Sequence, residues 1–211
     1  MSREAHVQFC ERLGVRLPGA THRNIYVRSG GAGRRVMTSV TRFITRRLKL
    51  KVNESKSAVA RPAERKFLGF SFTSRKQPKR RIAPKALARC KQRIRELTRR
   101  TRGVSVEQMT RQLAAYLRGW QSYFGFCETP SVLNSLDQWI RRRLRSMIWK
   151  QWKRGRVRFR ELRKRGVGPD LAAQTAGSRH SCWRLAHSPA LQAALPTAYF
   201  DTLGVPRLFA G

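Results

Sequence analysis

Apolar side chains along this chain follow one pattern before Pro84 and another after it. Residues 24–29, NIYVRS, make a short β-prone run that ends at Ser29-Gly30-Gly31. Val36, Met37, Val40, Phe43, Ile44 and Leu48 then recur at helical spacing with Arg and Lys between them, which predicts a helix over 32–50. Two extended runs follow, KVNESKSAVA at 51–60 and KFLGFSFT at 66–73. In the second, strand alternation sends Phe67, Gly69 and Ser71 one way and Leu68, Phe70 and Phe72 the other. A basic turn, RKQPKRR, closes this small α/β piece.

From Pro84 the period is helical. Leu87, Cys90, Ile94 and Leu97 line one face of a helix that Pro84 starts and Gly103 stops. Ser105 followed by Gln108 has capping-box form, and the helix it opens carries Met109, Leu113, Tyr116, Leu117, Trp120 and Phe124 on one side. Pro130-Ser131 begins a third helix with Leu133, Leu136, Ile140, Leu144, Met147 and Trp152 inward. Three amphipathic helices with short connections predict a bundle. Residues 167–211 break into short helical pieces such as LAAQTA and PALQAAL, and residues 1–23, with weak periodicity and a Leu-Pro-Gly break, read as disordered. The expected fold class is α+β: an α/β piece at 24–82, a helical bundle at 83–166 and a C-terminal part at 167–211.

Charge changes the picture from architecture to partner. The chain carries 47 Lys and Arg against 11 Asp and Glu over 211 residues, a net charge of +36. Self-repulsion of that size weakens a compact state, so a polyanionic partner is the economical explanation. Residues 138–166 hold 13 basic groups and 1 acidic one, whereas residues 167–211 hold 3 and 2. The binding surface is therefore expected before residue 167. A hydrophobic content of 40% with five Trp and ten Phe argues against general disorder. No apolar run approaches the length of a membrane span, and residues 1–23 lack the apolar stretch of a secretory signal. Cys10, Cys90, Cys127 and Cys182 are scattered without metal-ligand spacing, which points to reduced thiols in a cytoplasmic protein and to no metal site.

Specific strings then resemble a known family. LRGWQSYFGF at 117–126 resembles the signature of the maturase-specific domain of group II intron-encoded reverse transcriptases, and LDQWIRRRLRSMIWKQWKRGR at 136–156 is similar to the helix that follows it there. Asn53 to Lys56 followed by Leu68-Gly69-Phe70 resembles the closing motifs of the reverse-transcriptase palm, including its primer-grip hairpin. NIYVRS is similar to the segment after the family's catalytic Tyr-Ala-Asp-Asp turn. The resemblance implies a partial palm at 24–82 and a helical thumb and maturase-specific domain at 83–166, with the maturase region running on through 167–211.

The departures count equally. Where the family has its Tyr-Ala-Asp-Asp turn, this chain reads Gly19-Ala20-Thr21-His22-Arg23, with no carboxylate. The intact family enzyme holds Mg²⁺ on such carboxylates. The chain alone is therefore expected to bind no cofactor, to present no catalytic residue and not to polymerise. The resemblance implies RNA as partner, in particular group II intron RNA, recognised through phosphates and shape and with assistance to intron folding and splicing. Arg118, Tyr123, Arg141, Arg142, Arg145, Lys150, Lys153, Arg154, Arg156 and Arg158 are the candidate RNA-binding residues, because arginine forks donate paired hydrogen bonds to phosphate and an exposed ring stacks on a base. Trp120 and Phe124 share a helix face and read as core. Gly119 suggests close backbone approach to a neighbouring helix or to RNA. Two other readings stay open: the C-terminal part of a split RNA-directed DNA polymerase that needs an upstream fragment, and a non-functional truncated remnant.

Overall fold

The structure, a computed structural model, describes residues 5–12, 22–74, 77–99 and 102–209, with backbone alone at 5–12 and 22–23. It divides into two compact units, Met1–Ala83 and Pro84–Gly211.

The first unit contains β1 (Ala5–Arg12), β2 (His22–Val27), α1 (Gly30–Arg46), β3 (Lys51–Val52), β4 (Ala58–Ala60), a 3-10 turn at Pro62–Glu64, β5 (Phe70–Phe72) and β6 (Arg80–Ile82). Strand β1 is central. It pairs antiparallel with β2 along one edge, Ala5 opposite Val27 and Cys10 opposite His22. Along the other edge it pairs with β4, Val7 opposite Val59, and then with β3, Glu11 opposite Val52. The expectation of disorder across residues 1–23 is thus corrected for 5–12. A strand paired on both edges satisfies its backbone donors and acceptors through neighbours distant in sequence, which local periodicity does not reveal. Residues 1–4 and 13–21 lie outside the described residues.

Helix α1 lies on this sheet. Its first turn is capped by the Ser29 hydroxyl, which accepts from the Ala32 N–H at 3.1 Å. Ile44 is buried and Val36, Met37 and Val40 are half-buried, but Phe43 and Leu48 are exposed. Leu48 falls past the last helical turn.

The extended run at 51–60 is one antiparallel partner of β1 interrupted in the middle. Residues 53–57 bulge outward, and the Asn53 side-chain oxygen fixes the bulge by accepting from the Ser55 hydroxyl (2.7 Å) and the Lys56 N–H (3.2 Å). The run at 66–73 is broken as well. Phe67 and Phe70 exchange both backbone hydrogen bonds at 2.9 Å across Leu68 (φ 49°) and Gly69 (φ 82°). Two left-handed residues in a row make the tight turn favoured by hairpins, and glycine adopts its half without steric cost. The strand is only Phe70–Phe72, paired with β6 so that Phe70 faces Ile82. The expected alternation therefore fails at 68–69: Leu68 sits exposed at the turn, while Ser71 is buried and accepts from Arg81 Nε at 3.1 Å.

The second unit is helical: α2 (Pro84–Leu97), α3 (Val106–Phe124), α4 (Pro130–Gln151), α5 (Gly155–Lys164), α6 (Pro169–Gly177), α7 (Cys182–Leu185), α8 (Pro189–Ala194) and α9 (Thr197–Thr202). Its core follows the helical period. Cys90, Ile94 and Leu97 come from α2, Met109, Leu113, Leu117 and Trp120 from α3, and Leu136, Ile140, Leu144 and Met147 from α4, all buried. The C-terminal segment contributes Leu191, Leu195 and Phe200 to the same unit. Among the described residues no helix is long and apolar enough to cross a membrane.

Helix α3 starts as its sequence predicts, with the Gln108 N–H donating to the Ser105 hydroxyl at 3.2 Å. Replacing Ser105 by Ala orphans that donor, and we expect a loss of about 1 kcal/mol in unfolding free energy with an unchanged denaturant slope. Equilibrium urea unfolding followed by circular dichroism measures it.

Candidate nucleic-acid interface

Helix α4 is amphipathic, but its basic residues do not all face water. Arg141 is 2% exposed. Its Nη2 donates to the Pro206 carbonyl at 3.1 Å, and its guanidinium lies 3.5 Å from both Asp137 and Asp201. Both carboxylates pair with it as ions, and Arg141 Nε and Nη1 make no well-aligned hydrogen bond. Burial presses the Arg141 guanidinium below its ordinary pKa, and the two carboxylates oppose that shift. Arg145 Nε donates to the Leu195 carbonyl at 2.8 Å, and burial followed by the nearby Arg141 charge lowers its pKa too. Arg142 places Nε and Nη2 on the Trp183 carbonyl at 3.1 and 3.0 Å, with its guanidinium 4.4 Å from the Trp183 ring centroid.

Arg141, expected as a phosphate ligand, is corrected to a buried residue of the fold, and Arg142 and Arg145 are half-buried with their guanidinium groups on carbonyls. Arg141, Arg142 and Arg145 fasten the C-terminal segment to α4. The Trp183 and Leu195 carbonyls lie at the ends of α7 and α8, where short helices leave orphan acceptors, and the Pro206 carbonyl lies in the loop after α9; an arginine satisfies each. Arg158 is similar, donating to the Trp152 carbonyl at 2.9 Å from a position 4.8 Å from the Trp149 ring. Arg118 is exposed, with one long contact of 3.4 Å to the Gly204 carbonyl.

The exposed basic groups gather at the end of α4 and along α5. Lys150, Lys153, Arg154 and Arg156 are exposed, as expected. Helix α5 packs on α6 and α8, burying Leu162 and half-burying Val157, Arg158, Glu161 and Arg165. Its other face is a stripe of exposed Arg156, Arg160, Arg163 and Lys164 at helical spacing. Arg160, Arg163 and Lys164 are missing from the residues singled out in the sequence, although the four-residue spacing of Arg160 and Lys164 from Arg156 marks those two. The first turn of α5 holds no acidic residue and no side chain caps it. Lys153, Arg154 and Arg156 thus crowd the positive end of a helix dipole, an arrangement an anion relieves.

Residues 87–166 match the family model of the group II intron maturase-specific domain. The matched stretch contains most of α2 and all of α3, α4 and α5, and it supports a group II intron maturase-like protein with a maturase role in intron splicing. No curated protein matches the chain.

Within the maturase-specific stretch, the aromatic residues divide as their spacing suggests. Trp120 is buried, with Phe124 against it at 4.8 Å between ring centroids, while Tyr123 is 46% exposed. Gly119 is exposed, and a Cβ built there meets nothing within 4 Å. Close approach of a neighbouring helix, one of the two reasons offered for this glycine, is absent among the described residues.

In the first unit the palm-like motifs form two separate turns. Asn53 organises the bulge that carries exposed Lys56, and it contributes to the lining of a groove of about 660 Å³ at the end of α1. Leu68, Gly69 and Phe70 share the tight turn before β5. Of the segment expected to replace the catalytic turn, Gly19 to Thr21 lie outside the described residues, and His22 and Arg23 belong to β2. Among the described residues no three His, Cys, Asp or Glu side chains gather as a metal site.

Two substitutions separate the clamps from the exposed stripe. Arg141→Met leaves Asp137 without its cation, while Asp201 keeps Arg207 at 2.6 Å, and is expected to cost about 3 kcal/mol, the low end for a broken buried pair. Arg156→Gln is expected to change stability by less than about 0.5 kcal/mol. Thermal melts of both variants check the assignment.

Proposed function

We propose that this chain is an RNA-binding maturase-type protein that assists the folding and splicing of a group II intron. The reading rests above all on one coincidence: the exposed basic stripe of α5 and the basic end of α4 fall inside the stretch that matches the maturase-specific domain. Lys150, Lys153, Arg154, Arg156, Arg160 and Lys164 neutralise RNA phosphates, and the half-engaged Arg118 and exposed Tyr123 add a second contact region on α3. The intron RNA performs the splicing chemistry, and the protein contributes charge neutralisation and shape recognition without a covalent step of its own.

Binding of this kind releases counterions. If 6–10 phosphates are contacted, affinity for a group II intron RNA falls by roughly 10³–10⁵ between 50 and 200 mM salt, on the scale known for duplex DNA. Filter binding across that range measures the slope, and an affinity independent of salt would overturn the reading.

Gly119 supplies a second measurement. Alanine there adds helix propensity worth about 1 kcal/mol in the folded state, with open space for the methyl group. We expect Gly119→Ala to raise the unfolding midpoint while weakening intron RNA binding, because the bare backbone is kept for close approach of RNA. Unchanged affinity in the stabilised variant would remove α3 from the interface.

A further inference from the structure

Helices α2 and α4 bring together four side chains that neither the clamps nor the α5 stripe uses. Lys91 and Arg95 lie one turn apart on α2, and Trp139 and Arg143 lie one turn apart on α4. The Trp139 indole is half-buried. Lys91 Nζ and Arg95 Cζ each stand 5.5 Å from its centroid and Arg143 Cζ stands 6.0 Å away. Arg143 is held in place by Nε donating to the Thr98 hydroxyl and Nη2 donating to the Arg95 carbonyl at 3.3 Å.

Among the described residues this ring meets three cations, where the Phe200 ring meets two, Arg141 and Arg145, both at 5.9 Å. Arg142 on Trp183, Arg158 on Trp149 and Arg165 on Trp152 stand at 4.4, 4.8 and 4.9 Å, close stacking distances. Around Trp139 three cations share one ring at longer range. The acidic groups on the same two helices have other partners, Glu96 with Arg93 and Asp137 with Arg141. Burial lowers the Arg143 pKa, and the nearby Arg95 charge lowers it further. Such a cluster weakens the folded state unless an anion relieves it, and the indole at its centre adds a flat apolar surface that suits a base.

We propose that Trp139, Lys91, Arg95 and Arg143 form a subsite for an unpaired nucleotide of RNA, the base stacked against the indole and its flanking phosphates held by the cations. This deepens the RNA-binding reading and rests on it. The subsite requires a single strand, because a duplex keeps its bases stacked within the helix.

The test compares two fluorescent probes, an oligoadenylate of about 12 nucleotides and an RNA duplex of about 16 base pairs, on the full chain. Trp139→Ala is expected to weaken oligoadenylate binding by roughly tenfold and to leave duplex binding within about twofold, whereas Trp139→Phe keeps most of the affinity. Lys91→Gln combined with Arg95→Gln is expected to weaken oligoadenylate binding and to flatten its salt dependence. Melting curves accompany every variant. If Trp139→Ala binds oligoadenylate as the wild type does, the subsite is wrong while the RNA-binding reading stands. Equal loss on both probes with a lowered melting temperature would make the indole a packing residue and also overturn the subsite. Should the wild type bind neither probe, both readings fail together.

Discussion

The helical unit is held by arginines that end on backbone carbonyls. With 47 basic groups and 11 acidic ones, most cations in this chain have no carboxylate to meet. The arginines of α4 meet peptide oxygens: Arg141 at Pro206, Arg142 at Trp183, Arg145 at Leu195. The Trp183 and Leu195 carbonyls are orphan acceptors at the ends of α7 and α8, and the Pro206 carbonyl is an acceptor in the loop after α9, so each accepts a cation without adding charge to the chain. This accounts for the composition of the C-terminal segment. Residues 167–211 are nearly neutral and broken into short helices; they supply acceptors to the arginines of α4 and bury Leu191, Leu195 and Phe200 in the unit's core. Asp137 adds the reverse bond by accepting from the Leu208 N–H at 3.2 Å.

The choice of residue follows from the same constraint. The clamps named above are all arginines, whose planar fork reaches two acceptors and loses less hydration on burial than an ammonium. Lys150, Lys153 and Lys164 stay in water. A count of positive charge treats the two alike, but the structure sorts them into cations that hold the fold and cations that remain available to a polyanion. Net charge therefore overstates the size of the binding surface.

That sorting marks the limit of what could be read from sequence. The helical faces were legible because burial in a bundle repeats every 3.6 residues, and Leu113, Leu117, Ile140 and Leu144 show it without reference to any partner. The Ser105 cap was legible because it acts within four residues. Arg141 was not, since its acceptor lies 65 residues away and nothing local distinguishes it from Arg143 or Lys150. Strand β1 was hidden for the same reason, as its partners are β2, β3 and β4. Alternation misled at Leu68-Gly69, where a two-residue turn has the same apolar letters as a strand. Lys153, Arg154 and Arg156 were singled out from charge density alone and are exposed, whereas the cluster around Trp139 escaped notice because it depends on α2.

Helix α5 carries an exposed basic face and a packed face in ten residues. Its interior side is fixed by Leu162 in the core and by Arg158 on the Trp152 carbonyl, which closes the end of α4. Its outer side carries like charges one turn apart, which repel, and its first turn sets cations at the wrong end of the dipole. An isolated helix of this length and charge is not stable in water, so the order of α5 comes from its packing on α6 and α8. The unfavourable charge arrangement is thereby held rigid in advance of binding. A phosphate backbone laid along the stripe removes repulsion that the fold already bears, and it encounters side chains whose helix needs no further ordering.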